Sequence, residues 1–360
     1  QQQSNGRQQL APEEEGDGRG PLPAARPGAV RPQGHRARRA GRQLRLARPA
    51  RGAPRGRPEE PLALRAALVH RHDGLRGVAD DAVASTDGEA LIPVKVYRPD
   101  PAKWGEGPWG VHLNFHGGGH VLGDLTTDAL LCLNMRDGAG VVVVDVNYRH
   151  CPEATWGKGI EDGWAVVQWS KVRSSAEKYN INPDSVSVGG ISAGATISLV
   201  LQHLARDAGV PLKLCMATVP GTDKSLMYDD PSESPYPSFT EFADGPVLPF
   251  ARIRLFGGIC FPRDQLPERL ALVPEWWTCP LHAENFRGLC DTFIRTGAVD
   301  PLRDEAEAYG FKLVQAGNVK VTMKRYIGCP HMFMYWGPMP QKHEYDEDSI
   351  RALKDAHGVK

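Results

Sequence analysis

A serine at the centre of a Gly-x-Ser-x-Gly pentapeptide is the residue most suited to nucleophilic chemistry. The pentapeptide runs from Gly190 to Gly194, with Ser192 in the middle. A strand is predicted before it and a helix after it, so the serine is expected at a sharp strand-to-helix turn. Small neighbours let the chain cross itself there and project the hydroxyl at the carboxyl end of a sheet. The pentapeptide predicts a nucleophile, although alone it also fits a glycine-rich turn with an incidental serine.

A glycine run upstream could supply the hydrogen-bond donors that such chemistry needs. The run reads His116-Gly117-Gly118-Gly119. We expect the N–H groups of Gly118 and Gly119, with that of Ala193, to form an oxyanion hole, where losing one donor typically costs about 10²–10³ in rate. His116 and Gly117 are expected to support this loop. A phosphate-binding turn is the alternative, but such a loop would have Lys-Ser or Lys-Thr where His120 follows here.

A base and an acid follow two later predicted strands. Asp300 comes after one strand and His331 after the next, so both are expected at the same sheet edge as Ser192. Histidine would take the serine proton, and the carboxylate would hold the correct tautomer of its ring. Asp300 could instead cap the following helix. In that case Asp304 or Glu305 would supply the acid.

Alternating strands and helices must position these residues. Strands are predicted at residues 90–99, 111–115, 141–146, 185–188, 212–219, 292–296 and 319–326. Helices are predicted at residues 126–137, 160–179, 193–208, 303–315 and 348–356. The run 141–146 is apolar without alternation, as expected for a strand buried on both faces. This order predicts an α/β fold with a doubly wound, mostly parallel sheet.

A long connection separates the predicted strands 212–219 and 292–296. It is too long for a plain loop, so we expect a cap-like insertion over about residues 221–285. Five aromatic residues are candidates for a pocket wall, although core packing is the alternative for each: Trp156, Phe242, Trp276, Trp277 and Trp336.

Residues 1–75 differ in composition from the rest of the chain, which is expected to form one domain over 76–360. They are rich in Arg, Ala, Pro and Gly and contain no aromatic residue or isoleucine. Such a segment buries too little apolar surface to offset its loss of entropy on ordering. It is therefore interpreted as disordered, with a nucleic-acid-binding arm or a gene-model error as alternatives.

Charge and cysteine usage limit the classes of partner. The chain has 43 basic and 43 acidic residues, which gives no reason to expect nucleic acid as a partner. No apolar run is long enough for a membrane span. The seven cysteines are scattered without CxxC spacing, which favours free thiols in a reducing, cytoplasmic setting over disulfides or a zinc site. The oligomeric state is not predicted.

Four segments in this order resemble the hormone-sensitive-lipase group of α/β-hydrolases. They are His116–Gly119, Asn147–Glu153, Pro280–Glu284 and Asp300–Glu305. The resemblance implies an α/β-hydrolase fold with a Ser-acid-His order along the chain. It also implies esterase activity on short-to-medium acyl esters without a metal or organic cofactor. Two residues depart from the group: Ile191 replaces a polar residue, and His120 stands where a large aromatic residue commonly follows the glycines.

Three other functions share parts of this pattern. An amidase or formamidase would use the same three residues. A non-catalytic small-molecule receptor could be built on the same scaffold. The receptors that resemble this group lack its catalytic histidine, so the presence of His331 favours an enzyme. A protein unable to fold because of its altered N-terminal segment is the third alternative. The ester is therefore the expected substrate.

Overall fold

An eight-stranded sheet forms the centre of the computed structural model, which describes residues 76–317 and 320–360. The strands are β1 Val78–Ala84, β2 Leu91–Tyr97, β3 Trp109–Phe115, β4 Val142–Val146, β5 Ile181–Ile191, β6 Leu214–Thr218, β7 Asp291–Val299 and β8 Val321–Pro330. Their spatial order is β1-β2-β4-β3-β5-β6-β7-β8. β2 runs antiparallel to β1 and β4, and the other neighbours are parallel. Residues 1–75, for which the composition predicts disorder, lie outside the described residues.

Helices connect these strands. They are α1 Pro101–Trp104, α2 Ala129–Ala139, α3 Lys158–Lys171, α4 Arg173–Tyr179, α5 Ala193–Asp207, α6 Pro237–Glu241, α7 Phe250–Cys260, α8 Leu266–Leu270, α9 Glu275–Thr278, α10 Arg303–Ala316 and α11 Pro340–His357. Short 3₁₀ turns occupy Pro231–Glu233, Arg263–Gln265, Pro280–His282 and Phe333–Tyr335.

Both faces of the central strands are covered by helices. Every residue of β4 and β6 is buried, which explains why these strands lack a polar alternation. On one face, α3, α5 and α10 pack against the sheet in a large apolar core. On the other, residues of α2 and α11 pack in a second core. This arrangement confirms the predicted α/β fold with a doubly wound, mostly parallel sheet.

Two predicted helices have wrong bounds. The helix predicted over 160–179 is two helices, with Val172 in an extended conformation between α3 and α4. Ser175 Oγ donates to the carbonyl oxygen of Trp169 at 2.8 Å, so a side chain takes one of the last carbonyls of α3. The last helix begins at Pro340 instead of residue 348, because its first turns are mainly polar and gave no apolar periodicity.

The connection between β6 and β7, residues 219–290, is called the insertion below. It contains α6 to α9 and three of the 3₁₀ turns. Its residues Phe239, Leu248 and Ile253 form an apolar cluster together with Leu302, which follows β7. The cap-like role predicted for about 221–285 stays a prediction.

Two predictions from composition can be compared with the described residues. All seven cysteines are free, and six of them are buried, as predicted for unpaired thiols. Among the described helices, none is both long and apolar enough to cross a membrane. The cytoplasmic location stays a prediction.

Candidate active site

The turn between β5 and α5 holds Ser192 in an unusual backbone conformation. Its φ is 54° and its ψ is −116°, and its N–H donates to the carbonyl oxygen of Thr218 at 2.8 Å. A Cβ atom at Gly190 or Gly194 would overlap the carbonyl oxygen of Phe115. The two glycines are therefore needed because the turn passes directly against β3. This geometry leaves the serine side chain partly exposed at the end of the sheet.

Ser192, His331 and Asp300 form one continuous chain of hydrogen-bonding groups. His331 Nε2 lies 2.9 Å from Ser192 Oγ, and His331 Nδ1 lies 2.9 Å from Asp300 Oδ2. His331 is 2 % exposed and Asp300 is fully buried. The other oxygen of Asp300 accepts from the N–H of Leu302 at 2.9 Å. The carboxylate is thus fixed by the main chain on one side and by the imidazole on the other.

The two alternative acids point to other partners. Asp304 Oδ2 accepts from the N–H of Ser238 at 2.8 Å, and Arg303 pairs with the same carboxylate at 2.7 Å. Glu305 Oε1 accepts from the N–H of Thr222 at 2.8 Å. Both contacts lead into the insertion and away from the histidine.

The buried carboxyl group of Glu305 has an unusual environment. Its Oε2 atom has no hydrogen-bond partner among the described residues, and the side chain is fully buried. Burial raises the pKa of this group to about 8, despite the N–H donor of Thr222. Glu305 is therefore a neutral acid around pH 7 and holds the start of the insertion to α10.

The glycine loop lies beside Ser192 with its N–H groups uncovered. Neither the N–H of Gly118 nor that of Gly119 donates to a group in the described part of the chain. Gly119 has a φ of 63°, and a Cβ atom there would overlap the ring of Phe256. Ala193 is the first residue of α5, so its N–H belongs to the donors that a helix leaves unpaired. The three predicted donors all border the cavity that contains Ser192.

Two aromatic side chains support the loop. His116 Nδ1 donates to the carbonyl oxygen of Gly117 at 2.8 Å, and its ring stacks on Tyr148 at 4.7 Å. Tyr148 Oη donates to the carbonyl oxygen of His116 at 2.8 Å. Arg149, the residue after Tyr148, pairs with the buried Asp162 at 2.7 Å. His116 and Gly117 thus lie where a supporting role was predicted.

A cavity of about 550 Å³ opens over Ser192 and His331. Its apolar lining comes largely from the insertion, including Leu248, Ile253 and Phe256. Of the five aromatic pocket candidates, Trp156 lines it, and Phe242, Trp276, Trp277 and Trp336 do not. Trp276 and Trp277 pack against the main core instead.

Sequence reasoning missed the residues by which the insertion contacts the loop. Phe256 covers Gly119, and Cys260 Sγ donates to the carbonyl oxygen of Gly119 at 3.6 Å. Both belong to α7, which carries no apolar periodicity that could have identified its inner face. Tyr148, by contrast, lies in the family-like segment Asn147–Glu153 and could have been found from it.

Metal ligands are not grouped at this site. Within residues 76–317 and 320–360, no cluster of three or more His, Cys, Asp or Glu side chains could hold a metal ion.

Known proteins resemble this chain over most of its described length. A family model described as alpha/beta hydrolase fold matches residues 112–335. Carboxylesterase NlhH of Mycobacterium tuberculosis is 35 % identical over 77 % of this chain and 82 % of its own. An AB hydrolase superfamily protein of Schizosaccharomyces pombe is 32 % identical, over 74 % and 76 % respectively. The structure of an esterase from Pyrobaculum calidifontis matches with a TM-score of 0.69 and 27 % sequence identity. The match covers 82 % of this chain and 90 % of the esterase chain.

Proposed function

We propose, from the premise that the chain belongs to the hormone-sensitive-lipase group of the α/β-hydrolase family, that it cleaves esters through an acyl-serine intermediate on Ser192. It is a carboxylic ester hydrolase, as its esterase relatives indicate. The observation that carries the mechanism is the unbroken contact chain from Ser192 Oγ through His331 to Asp300.

Acylation begins with removal of the serine proton. His331 Nε2 accepts it as Ser192 Oγ attacks the ester carbonyl carbon, so the imidazole becomes positively charged. Asp300 accepts a hydrogen bond from Nδ1–H and stabilises that charge. The N–H groups of Gly118, Gly119 and Ala193 donate to the oxyanion that forms.

Collapse of the tetrahedral intermediate releases the alcohol. His331 gives its proton to the leaving oxygen, and the acyl group stays on Ser192. Water then attacks the acyl carbon, with His331 acting as base again. The carboxylic acid leaves and the serine recovers its proton.

The cavity supports short-to-medium acyl groups as substrates. Its volume of about 550 Å³ lies in the usual range for small-molecule sites, and its walls are mainly apolar. We further propose that the insertion, from about 221 to 285, acts as the cap of this cavity, since it supplies Leu248, Ile253 and Phe256.

Removal of the serine hydroxyl tests the mechanism. Ser192→Ala is expected to lower kcat on 4-nitrophenyl butanoate by about 10⁶, because the covalent step is lost. A fluorophosphonate probe should modify the wild type at Ser192, as shown by peptide mass spectrometry. A series of 4-nitrophenyl esters from acetate to decanoate then measures the preferred acyl length.

Ser225→Ala is the matched control, since Ser225 also lines the cavity. This variant should still be labelled by the probe. Labelling that persists in Ser192→Ala would disprove the assignment, and faster cleavage of 4-nitroanilides than of the matched esters would favour an amidase.

A further inference from the structure

His120 directly follows the proposed oxyanion donors and lies in the cavity wall. Its ring packs edge-to-face on Trp156, with centroids 4.7 Å apart, and both residues line the cavity. Its φ is 62°, a conformation that few residues other than glycine adopt. The backbone therefore turns at this point and aims the ring into the wall where the resemblance led us to expect a large aromatic residue.

The ring nitrogens of His120 have no partner in the described part of the chain. No hydrogen bond joins them to a side chain or carbonyl group there, although the residue is only 8 % exposed. Burial, with His150 and His116 close by, lowers the pKa of His120 to about 3. The ring is thus neutral, with one N–H donor and one nitrogen acceptor. Neither nitrogen is among the fully buried side-chain atoms that lack a partner, so a water molecule or a ligand hydroxyl in the cavity can reach the ring.

A second polar group faces the same cavity beside Trp156. Thr278 Oγ accepts from Trp156 Nε1 at 2.9 Å, which leaves its own hydroxyl proton without an acceptor among the described residues. Thr278 also lines the cavity. This part of the wall therefore offers both donors and an acceptor, which a hydroxyl group can match because it donates and accepts.

The two halves of the ester need different parts of the cavity, and proton transfer assigns the alcohol half to the side of His331. His331 must lie against the leaving alcohol in order to protonate it, and Met332 follows it into the cavity. Met332 packs with Phe333 and Tyr326 in one apolar cluster. Trp156 belongs to another cluster, with Cys151, Cys260 and Phe261. Trp156, on which His120 packs, and Met332 thus belong to different clusters of the cavity lining, and we place the acyl half of the ester against His120.

We propose that His120 selects ester substrates whose acyl half carries a hydroxyl group, which hydrogen-bonds to the imidazole ring. This inference rests on the proposed esterase function and deepens it. His120 acts here as a binding residue and takes no part in proton transfer to the ester.

Matched pairs of esters test this specificity. The wild type should hydrolyse 4-nitrophenyl 3-hydroxybutanoate or 3-hydroxyhexanoate, in one enantiomer, with kcat/KM about tenfold above the unsubstituted ester, the usual value of one neutral hydrogen bond. His120→Phe keeps an aromatic ring without polar atoms and should reduce this ratio to about one. His120→Gln keeps a donor and an acceptor and should retain most of the preference.

The ratio of kcat/KM for the hydroxylated ester to kcat/KM for the unsubstituted ester separates the outcomes, because a change that affects both esters equally cancels. Met227→Leu, a second substitution in the cavity lining, should leave the ratio unaltered. Thermal melts verify that each variant is folded. Equal rates on both esters in the wild type, or a preference that survives His120→Phe, would overturn the inference alone. Failure to hydrolyse either ester would overturn the esterase function itself.

Discussion

One wall of the cavity is built from strand ends and the other from the insertion. Ser192, Asp300 and His331 follow β5, β7 and β8, whose parallel pairing brings their carboxyl ends to one edge. The facing wall comes from α7, which has 11 residues, and from residues outside the helices such as Leu226 and Leu248. The first wall is located by main-chain hydrogen bonds, and the second by an apolar cluster that Leu302 joins from the sheet side.

This difference indicates that the positions of the reactive side chains and the shape of the cavity are determined by different parts of the structure. A strand end cannot move without disrupting the sheet, so the distances around His331 are set by the whole core. Side chains of the insertion can be substituted with little effect on the distances around His331. The two walls meet at Glu305, whose carboxyl group accepts from Thr222, and at Gly119, which is covered by Phe256.

The strongest test compares the carboxylate on the sheet side with one that contacts the insertion. Asp300→Asn should keep the fold and reduce kcat by about 10⁴, because the amide favours the wrong tautomer of His331. Steady-state kinetics on 4-nitrophenyl butanoate measures the effect.

Asp304→Asn is the matched control, since Asp304 contacts Ser238 of the insertion and not the histidine. It should cost less than about tenfold in kcat, because the partly buried ion pair of Asp304 with Arg303 lies outside the contact chain from Ser192 to Asp300. Thermal melts are needed for both variants. If Asp304→Asn lost most of its kcat while Asp300→Asn kept its own, the acid would be wrongly assigned.

The next test concerns the attachment of the insertion at Glu305. Its pKa is raised from 4.5 to about 8 in the folded protein. At a pH between 4.5 and 8, the native state therefore keeps a proton that the unfolded state has lost. Stability should therefore fall as pH rises from about 4.5 to 8. Glu305→Gln removes this dependence, since the amide does not ionise.

Urea unfolding at pH 5 and pH 8 measures this contribution. Between these two pH values, the free energy of unfolding of the wild type should fall relative to Glu305→Gln by on the order of 3 kcal/mol. Parallel pH dependence in the two proteins would mean that Glu305 is already ionised when folded.

The smallest expected effect concerns the contact between Gly119 and Phe256. Gly119→Ala should lower kcat about 30-fold, because a Cβ atom at this positive φ is strained and overlaps the phenyl ring. The double variant Gly119→Ala/Phe256→Ala should recover about half of that loss in free energy, since only the backbone strain remains. Additive losses in the double variant would show that α7 exerts no constraint on the loop.

The sheet side of the molecule was largely predictable from sequence. A buried run without alternation identified β4, and the glycines around Ser192 indicated a close crossing that Phe115 explains. The order of the segments brought Ser192, Asp300 and His331 to one edge, and the structure places them within 2.9 Å of their neighbours. Their catalytic roles stay predictions until the variants are measured.

The insertion was not predictable in the same way. Helix α7 has 11 residues but no apolar periodicity, so Phe256 and Cys260 gave no signal. Trp156 could not be told from Trp276 or Trp277, because burial in a core and in a cavity wall select the same residue type. The break at Val172 depends on a side-chain bond from Ser175, which periodicity does not detect.

The positive φ of Ser192 has a consequence for the evolution of this protein. A residue other than glycine in such a conformation carries about 1–3 kcal/mol of strain, which the native state bears at all times, whether or not an ester is bound. Glycine at this position would relieve most of it, so a lineage released from selection for hydrolysis would gain stability by losing its serine. On this argument, selection for stability alone would favour glycine over serine at this sheet edge.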